Sequence, residues 1–362
     1  MRKRSQPADH HPRSVYTILT GQYDNLGDSI LRRAMVSQLA RLGDWHVFIG
    51  RAPEDYVAAL DLNDRTRVYR SRFRWLIAAT RGMARRSSAV FVANPGEISS
   101  SWHEFLIGLT AVWLLAIGRF RANPGIRVGI GARDRQRPLS LGHELACRLA
   151  RINIWRDQQS RDLFGRGHVA PDWAFALPAS NAGEPRSFVA LCYRADKPLP
   201  SPTALGAVQA WAADRGYQLV VVSQVRRDVE ANRRLASSLG ALHVGGTDRP
   251  LEQLEQDVRA MYARSVIVLG NRVHGLILGM VEGAAPGALL GHADMKTGRT
   301  LRAAGFDLAA IPGEADEREL AIYLDHVLES RRELAPKMRA ARDELTRIAS
   351  QLSLHHSASP VD

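Results

Sequence analysis

Cysteine is nearly missing from this chain. Cys147 and Cys192 are the only two in 362 residues, and they form neither a metal-binding spacing nor a disulfide framework. A reducing cytoplasm is therefore the expected compartment. No H-E-x-x-H pair and no Cys/His cluster occurs, so a built-in metal site is not expected. The first βα turn lacks G-x-G-x-x-G, and G-x-x-x-x-G-K-[ST] occurs nowhere. That removes the main support for dinucleotide and P-loop binding. Zinc-finger, RNP and helix-turn-helix signatures are missing as well. Long hydrophobic runs are also scarce. The most apolar window, Phe105 to Gly118, lies between Glu104 and Arg119. It is too short to span a bilayer and reads as a buried helix. The MRKR start leads into His, Pro and Ser instead of an apolar stretch, so no secretory signal is expected.

Positive charge, in contrast, is plentiful. The formal net charge is +12 and the pI about 10.3, with denser groups at Arg2 to Arg4, Arg65 to Arg86 and Arg119 to Arg137. Such a balance suits a nucleic acid, an anionic membrane or an anionic substrate. Arginine far outnumbers lysine, as a GC-rich genome would favour, and no nucleic-acid motif accompanies the charge. Nucleic acid is thus the least expected of the three. A hydrophobic content of 45% with 24% charged residues is that of a soluble globular protein, and the length allows two domains.

Strands alternate with helices in two series. The first runs through VYTILT (Val15 to Thr20), a helix to about Leu42, and WHVFIG (Trp45 to Gly50). It continues with a basic helix over Tyr69 to Arg86, AVFVANPGE (Ala89 to Glu97), the apolar helix, IRVGIGA (Ile126 to Ala132) and INIWRDQQS (Ile152 to Ser160). ASNAGEPR (Ala179 to Arg186) has linker composition. The second series includes FVALCYR (Phe188 to Arg194), YQLVVVSQ (Tyr217 to Gln224) and VIVLGNRVHGLILG (Val266 to Gly279), then helices up to about Ser350. The pattern predicts an α/β protein with two Rossmann-like domains facing a cleft, over residues 14–180 and 186–353, with flexible tails at 1–13 and 354–362.

The most informative stretch is VIVLGNRVHG. Its β-branched run reads as a buried parallel strand (Val266 to Leu269), followed by a polar turn (Gly270 to Val273) and a helix opening near His274. Arg272, a fixed cation, and His274, a titratable imidazole, then sit at the carboxyl end of a strand, where open α/β sheets bind ligands. The helix amino terminus favours an anion there. An ion pair for Arg272 and a capping role for His274 explain the same residues equally well. In DNLGD, Asp28 reads either as a helix-start residue or, with Asp24 and Asn25, as a hydroxyl-binding group.

Taken in order, NLGDSIL, IWRDQQSRDLF, VALCYR, VVVSQVRRD and GNRVHGLILGM followed by DMK resemble the polysaccharide pyruvyl transferase family, from about Val15 to Phe306. The resemblance implies a glycosyltransferase-B-like fold. It also implies transfer of the pyruvyl group of phosphoenolpyruvate onto two hydroxyls of a sugar, forming a cyclic ketal and releasing phosphate, with no cofactor. The family's Arg-x-His motif falls on Arg272 and His274, its Asn-x-Gly-Asp loop on Asn25, Gly27 and Asp28, and its Arg-Asp pair on Arg156 and Asp157. Its second-domain arginine falls on Arg194 and its late lysine on Lys296. Where the family shows a Gly-Gly turn, this chain has Asn94-Pro95-Gly96-Glu97, which puts the shape of the acceptor side in question.

The residue types suit that chemistry. A carboxylate and a phosphate, which arginine grips bidentately, call for fixed cations; Arg272, Arg194 and Lys296 are the candidates for phosphoenolpyruvate, with Asn271 beside them. His274 suits proton transfer near neutrality, and Asp28 either a base or a hydroxyl acceptor. Glu97 or Asp157 would face positive charge developing at the ketal carbon; an ion pair is the plainer reading of Asp157. A nucleotide-sugar-dependent glycosyltransferase and a non-catalytic binding module fit the same architecture. A saccharide acceptor, lipid-linked or polymeric, and contact of the basic helix with an anionic membrane at its inner face complete the expectations.

Overall fold

A computed structural model of the chain describes residues 13–180, 185–290 and 295–357. The expected tails at 1–13 and 354–362 lie mostly outside these; Arg13 is described, and the last helix runs on through 354 to Ser357.

Two parallel sheets form the framework. The first comprises β1 (Ser14–Ile18), β2 (Asp44–Phe48), β3 (Arg67–Tyr69), β4 (Ala89–Val92), β5 (Gly96–Ile98), β6 (Gly125–Ala132), β7 (Ile152–Trp155) and β8 (His168–Val169). Its order is β3-β2-β1-β4-β6-β7-β8, with β5 pairing β6. The second contains β9 (Phe188–Cys192), β10 (Gln218–Val222), β11 (Leu242–Val244), β12 (Ser265–Gly270), β13 (Ala285–Leu290) and β14 (Ala310–Pro312), ordered β11-β10-β9-β12-β13-β14. Helices cover both faces of such sheets, which is why β4, β6, β9 and β12 are buried at every position and read as apolar runs, broken only by Arg127 in β6 and Ser265 in β12. The edge strands β3, β8, β11 and β14 have only two or three residues each, leaving little unpaired backbone for a foreign strand to template.

In both sheets the order reverses at one gap, between β1 and β4 and between β9 and β12. The carboxyl ends of those strands carry the loops that follow Ile18, Val92, Cys192 and Gly270. The two switch points face each other. Leu26 N–H donates to Gln224 O at 3.0 Å, Arg226 N–H donates to Asp24 O at 2.9 Å, and Asn25 and Val225 form an antiparallel bridge. A single hydrophobic cluster, including Leu26, Met35, Val258, Leu276 and Met338, continues from one unit into the other.

Three helices depart from the sequence reading. The first α-helix stops at Gln38, and Ala40–Leu42 tightens into a 3-10 turn. The basic helix is shorter, Arg72–Ala84, because Ser71 caps it through Arg74 N–H and Tyr69 belongs to β3. The apolar helix is longer than the apolar window. It spans Trp102–Phe120 and starts at Ser101, whose Oγ accepts Glu104 N–H at 3.2 Å. By length and composition alone this helix reaches what a membrane span requires, but Gly108, Ala111, Leu114, Leu115 and Gly118 bury one side of it against the protein. The closing helix, Leu334–Ser357, returns to the first unit. Its Arg342 donates through Nε and Nη2 to the carbonyls of Phe175 (3.3 Å) and Leu177 (3.0 Å).

The long apolar helix crosses helix Leu141–Leu149 backbone to backbone, since a Cβ on Gly108 would lie 2.9 Å from the Gly142 carbonyl carbon. Gly108→Val should force the helices apart, at a cost of about 1–3 kcal/mol. Calorimetry should therefore show a lowered melting temperature with unchanged far-UV circular dichroism; an unchanged melting temperature would mean the crossing is looser than described.

Candidate active site

The first α-helix, Leu26–Gln38, begins where the loop after β1 meets the second unit. Asn25 caps it, its Oδ1 accepting Gly27 N–H at 3.0 Å. Asp28 follows in the first turn, where a carboxylate complements the free N–H groups. Its Oδ2 accepts Gln22 N–H at 2.8 Å and lies 3.1 Å from Arg32 Nη1. Burial pushes the Asp28 carboxyl up, but the Arg32 guanidinium, the Gln22 N–H and His274 together hold it below its ordinary value. Arg32 is itself buried. It donates to Asp28 O, Thr20 O and Asn94 Oδ1 at 2.7–3.0 Å. Asn94 therefore does structural work in the turn that departs from the family pattern: it locks β4 to β1, its Nδ2 also donating to Thr20 O at 2.9 Å. Gly96, with φ near +142°, supplies the backbone freedom in that turn.

Opposite stands the helix Val273–Val281, with Arg272 at its N-cap position. His274 packs directly on the start of the first helix: a Cβ on Gly27 would fall 2.4 Å from His274 Nδ1. Only glycine lets the helix and the imidazole approach so closely. His274 Nε2 faces Asp172 Oδ2 at 3.7 Å. Asp172 is fully buried (0% exposed) and its Oδ1 accepts Ala174 N–H at 3.0 Å, capping the turn Trp173–Ala176. Arg156 Nη1 lies 3.5 Å from the same Oδ2. Burial raises the Asp172 carboxyl; His274, Arg156 and the Ala174 N–H outweigh it and bring it below its ordinary value. Arg156, Asp172 and His274 thus form a row of alternating charge capacity across the junction of the two units.

The other predicted residues divide into those that face this row and those engaged elsewhere. Glu97 lies 3.9 Å from Arg156 Nη2 and pairs with Arg133 at 2.8 Å. Arg272 is largely buried and pairs with buried Asp228; this is the ion-pair reading of Arg272. Asp228 Oδ1 also accepts Ala195 N–H at 3.0 Å, tying the loops after β9, β10 and β12 together. Asn271 serves the same purpose, its Oδ1 accepting Arg194 N–H at 2.9 Å. The Arg194 side chain forks onto Asp196 at 2.6 and 2.8 Å, holding that carboxyl well below the usual range. Asp157 is a helix cap: both its oxygens are taken by the N–H and hydroxyl of Ser160 at 2.8 Å. The Lys296 side chain lies outside the described residues. Its helix, Met295–Arg302, reaches the first unit through Arg299, whose Nε is 3.9 Å from Asp157 Oδ1.

Asp172, Arg32, Asp228 and Arg299 were not singled out in the sequence. A lone acidic residue in VAPDWAFAL, an apolar run after a strand, was the one available signal for Asp172. Among the described residues no group of three His, Cys, Asp or Glu side chains could hold a metal ion.

A family model described as polysaccharide pyruvyl transferase matches residues 25–285, well over half the chain. The chain belongs to the polysaccharide pyruvyl transferase family. No curated protein matches it in sequence. Its fold is similar to that of a Listeria monocytogenes protein described as a UDP-N-acetylglucosamine 2-epimerase (11% identity, TM-score 0.61, 96% of this chain and 98% of that one). It is also similar to the Neisseria meningitidis UDP-GlcNAc 2-epimerase bound to UDP-GlcNAc (8%, 0.58, 94% and 99%) and to Anabaena HepE in complex with UDP (13%, 0.55, 95% and 99%). At such identities the likeness is one of fold, and that fold is glycosyltransferase-B-like. For this pyruvyl transferase family member it accounts for the two facing Rossmann-type units.

Two carboxylates at the junction, Asp28 and Asp172, predict an acid limit. Asp28 and Asp172 both have folded-state pKa values below their unfolded ones. Each therefore adds stability above the unfolded pKa and loses it as pH falls through the folded value. The urea midpoint of the wild type should drop as pH is lowered below about 4. Asp172→Asn should start lower at pH 7, because Arg156 loses the nearer of its two carboxylate partners, and fall less steeply; a parallel curve would remove Asp172 from the linkage.

Proposed function

We propose that this protein transfers the pyruvyl group of phosphoenolpyruvate onto two hydroxyls of a sugar acceptor. The observation that carries the reading is the row Arg156–Asp172–His274, closed against the start of the first helix at Gly27 and Asp28. Membership of a transferase family supports it. Phosphoenolpyruvate brings a carboxylate and a phosphate, and the planar cations proposed for them are Arg272, held by Asp228 at the amino terminus of helix Val273–Val281, and Arg299, which reaches toward Asp157 of the first unit. The amino terminus of helix Val273–Val281 adds its own favourable potential.

The reaction needs one proton delivered to the methylene carbon of the enol and two removed from the acceptor hydroxyls. The hydroxyl oxygens form two new bonds to the ketal carbon, whose bond to the phosphate oxygen breaks. Of the two hydroxyl protons, one is balanced at the new methyl group and the other leaves with phosphate. His274 is the proton-transfer group in this proposal. Asp172 fixes the imidazole by facing Nε2 and stabilises it when protonated, in the way a buried carboxylate serves a catalytic histidine elsewhere. Asp28, kept ionised by Arg32, accepts hydrogen bonds from the acceptor, and Glu97 offers negative charge opposite the carbon that becomes cationic. A polysaccharide or glycoconjugate precursor is the acceptor class this family membership supports.

Nucleotide-sugar transfer is the competing reading, because solved neighbours hold UDP and UDP-GlcNAc. Thermal shift separates them. Phosphoenolpyruvate at one hundred times its dissociation constant should stabilise the protein by about 2.7 kcal/mol, and UDP or GDP should not. Arg272→Gln should abolish the shift; stabilisation by nucleotide alone would overturn the proposal. With a turnover assay in hand, Asp172→Asn should lower kcat by roughly 100-fold or more at little cost in KM. Asp172→Glu should recover part of it. A change confined to KM would make Asp172 a purely structural residue.

A further inference from the structure

The helix Trp102–Phe120 is apolar on both its inner and its outer side between Phe105 and Gly118, yet only one side of it is buried. Its outer side carries Trp102, Leu106, Leu109, Trp113 and Phe120, a single stripe at steps of three, four and seven residues. Trp102 is 69% exposed and Phe120 86%, values at odds with a helix placed only to fill a core. The neighbouring helix, Arg72–Ala84, adds Phe73 (73% exposed) and is fastened alongside by three bonds: Arg72 Nη2 to Thr110 Oγ1 at 2.8 Å and to Leu106 O at 3.4 Å, and Trp113 Nε1 to Thr80 Oγ1 at 3.0 Å. From Arg65 to Gly96 the chain has eight arginines and no Asp or Glu. Arg74, Arg81, Arg85 and Arg86 are exposed there, and Arg119 and Arg121 flank the far end of the stripe.

We propose that this face docks on an anionic lipid bilayer, the long helix lying in the plane of the interface. Tryptophan and phenylalanine suit the boundary between headgroups and acyl chains, and the surrounding arginines suit anionic headgroups. Burial of the other side against β4 and β6 fixes the helix to the protein and excludes a spanning orientation. A second copy of the chain is a poor occupant: a two-fold contact through this face would bring the same arginines together, like charge against like. The docking end lies near the site, for Trp102 follows Glu97 by five residues. The membrane therefore holds the first unit close to the plane from which an amphiphilic substrate would enter. The inference rests on surface chemistry and stands whether or not phosphoenolpyruvate is the donor.

Sedimentation of the full chain with vesicles tests it. Phosphatidylcholine vesicles containing about one third phosphatidylglycerol should bind at least tenfold more protein than phosphatidylcholine alone, and about 0.5 M salt should weaken that binding. The triple variant Trp102→Ser, Leu106→Ser, Phe120→Ser should stay in the supernatant with its melting temperature retained. Arg81→Glu with Arg85→Glu should lose the preference for anionic vesicles. Ile322→Ser, at an exposed apolar position on the other unit, should bind as the wild type does. Independently of any variant, the wild-type tryptophan emission should shift to the blue with anionic vesicles. No binding, equal binding to neutral vesicles, a triple variant that binds normally, or a wild-type dimer that the triple variant dissolves would overturn the proposal.

Discussion

The contact between Asp172 and His274 depends on two units of the chain being held in one relative position. An isolated carboxylate without solvent access is costly, and Asp172 has none. Its neutralising partners come from both sides, Arg156 from the loop after β7 and His274 from the first turn of the helix that follows β12. Separating the units would leave a buried negative charge with one partner instead of two. The electrostatics of the junction therefore favour the arrangement in which the imidazole, the start of the first helix and the Arg156 guanidinium converge. Apolar packing adds to this, because the cluster around Leu26, Met35, Leu276 and Met338 continues through the same junction.

The convergence follows from chain topology. In each sheet the strand order turns back at one gap, and loops on either side of it diverge and leave a crevice. Here two such crevices meet mouth to mouth. The residues lining them are distant in sequence, from Asn25 to Arg299, and each is set by its own local rule. Asn25 and Asp28 satisfy a helix amino terminus, Asn94 and Arg32 brace β1 against β4, and Asn271 and Asp228 brace β9 against β12. Local satisfaction of backbone groups and placement of reactive side chains are achieved by the same residues.

Strand and helix order were legible because buried parallel strands leave nearly continuous apolar runs and their carboxyl ends are marked by Gly, Asn and Asp. Arg272 and His274 stood out for that reason, and they do lie at the carboxyl end of β12. Contacts between segments far apart were not legible. Nothing in the composition of IWRDQQS tells that Asp157 caps a helix; its two hydrogen bonds with Ser160 show it. Asp172 was passed over because its two partners arrive from other strands. Trp102 and Phe120 were missed as parts of the apolar helix since polar or charged neighbours, His103, Glu104 and Arg119, break the run of hydropathy at each end.

The returning helix Leu334–Ser357 bears on how the molecule is assembled. Its Arg342 closes the carbonyls of Phe175 and Leu177, beside the turn that Asp172 caps. During synthesis the first unit emerges from the ribosome well before that helix exists. Its sheet can form early, but those carbonyls and the apolar surface beneath the helix wait for the last residues to be made. Completion of the first unit is thereby postponed until the second has been translated, and the two finish folding together instead of one after the other.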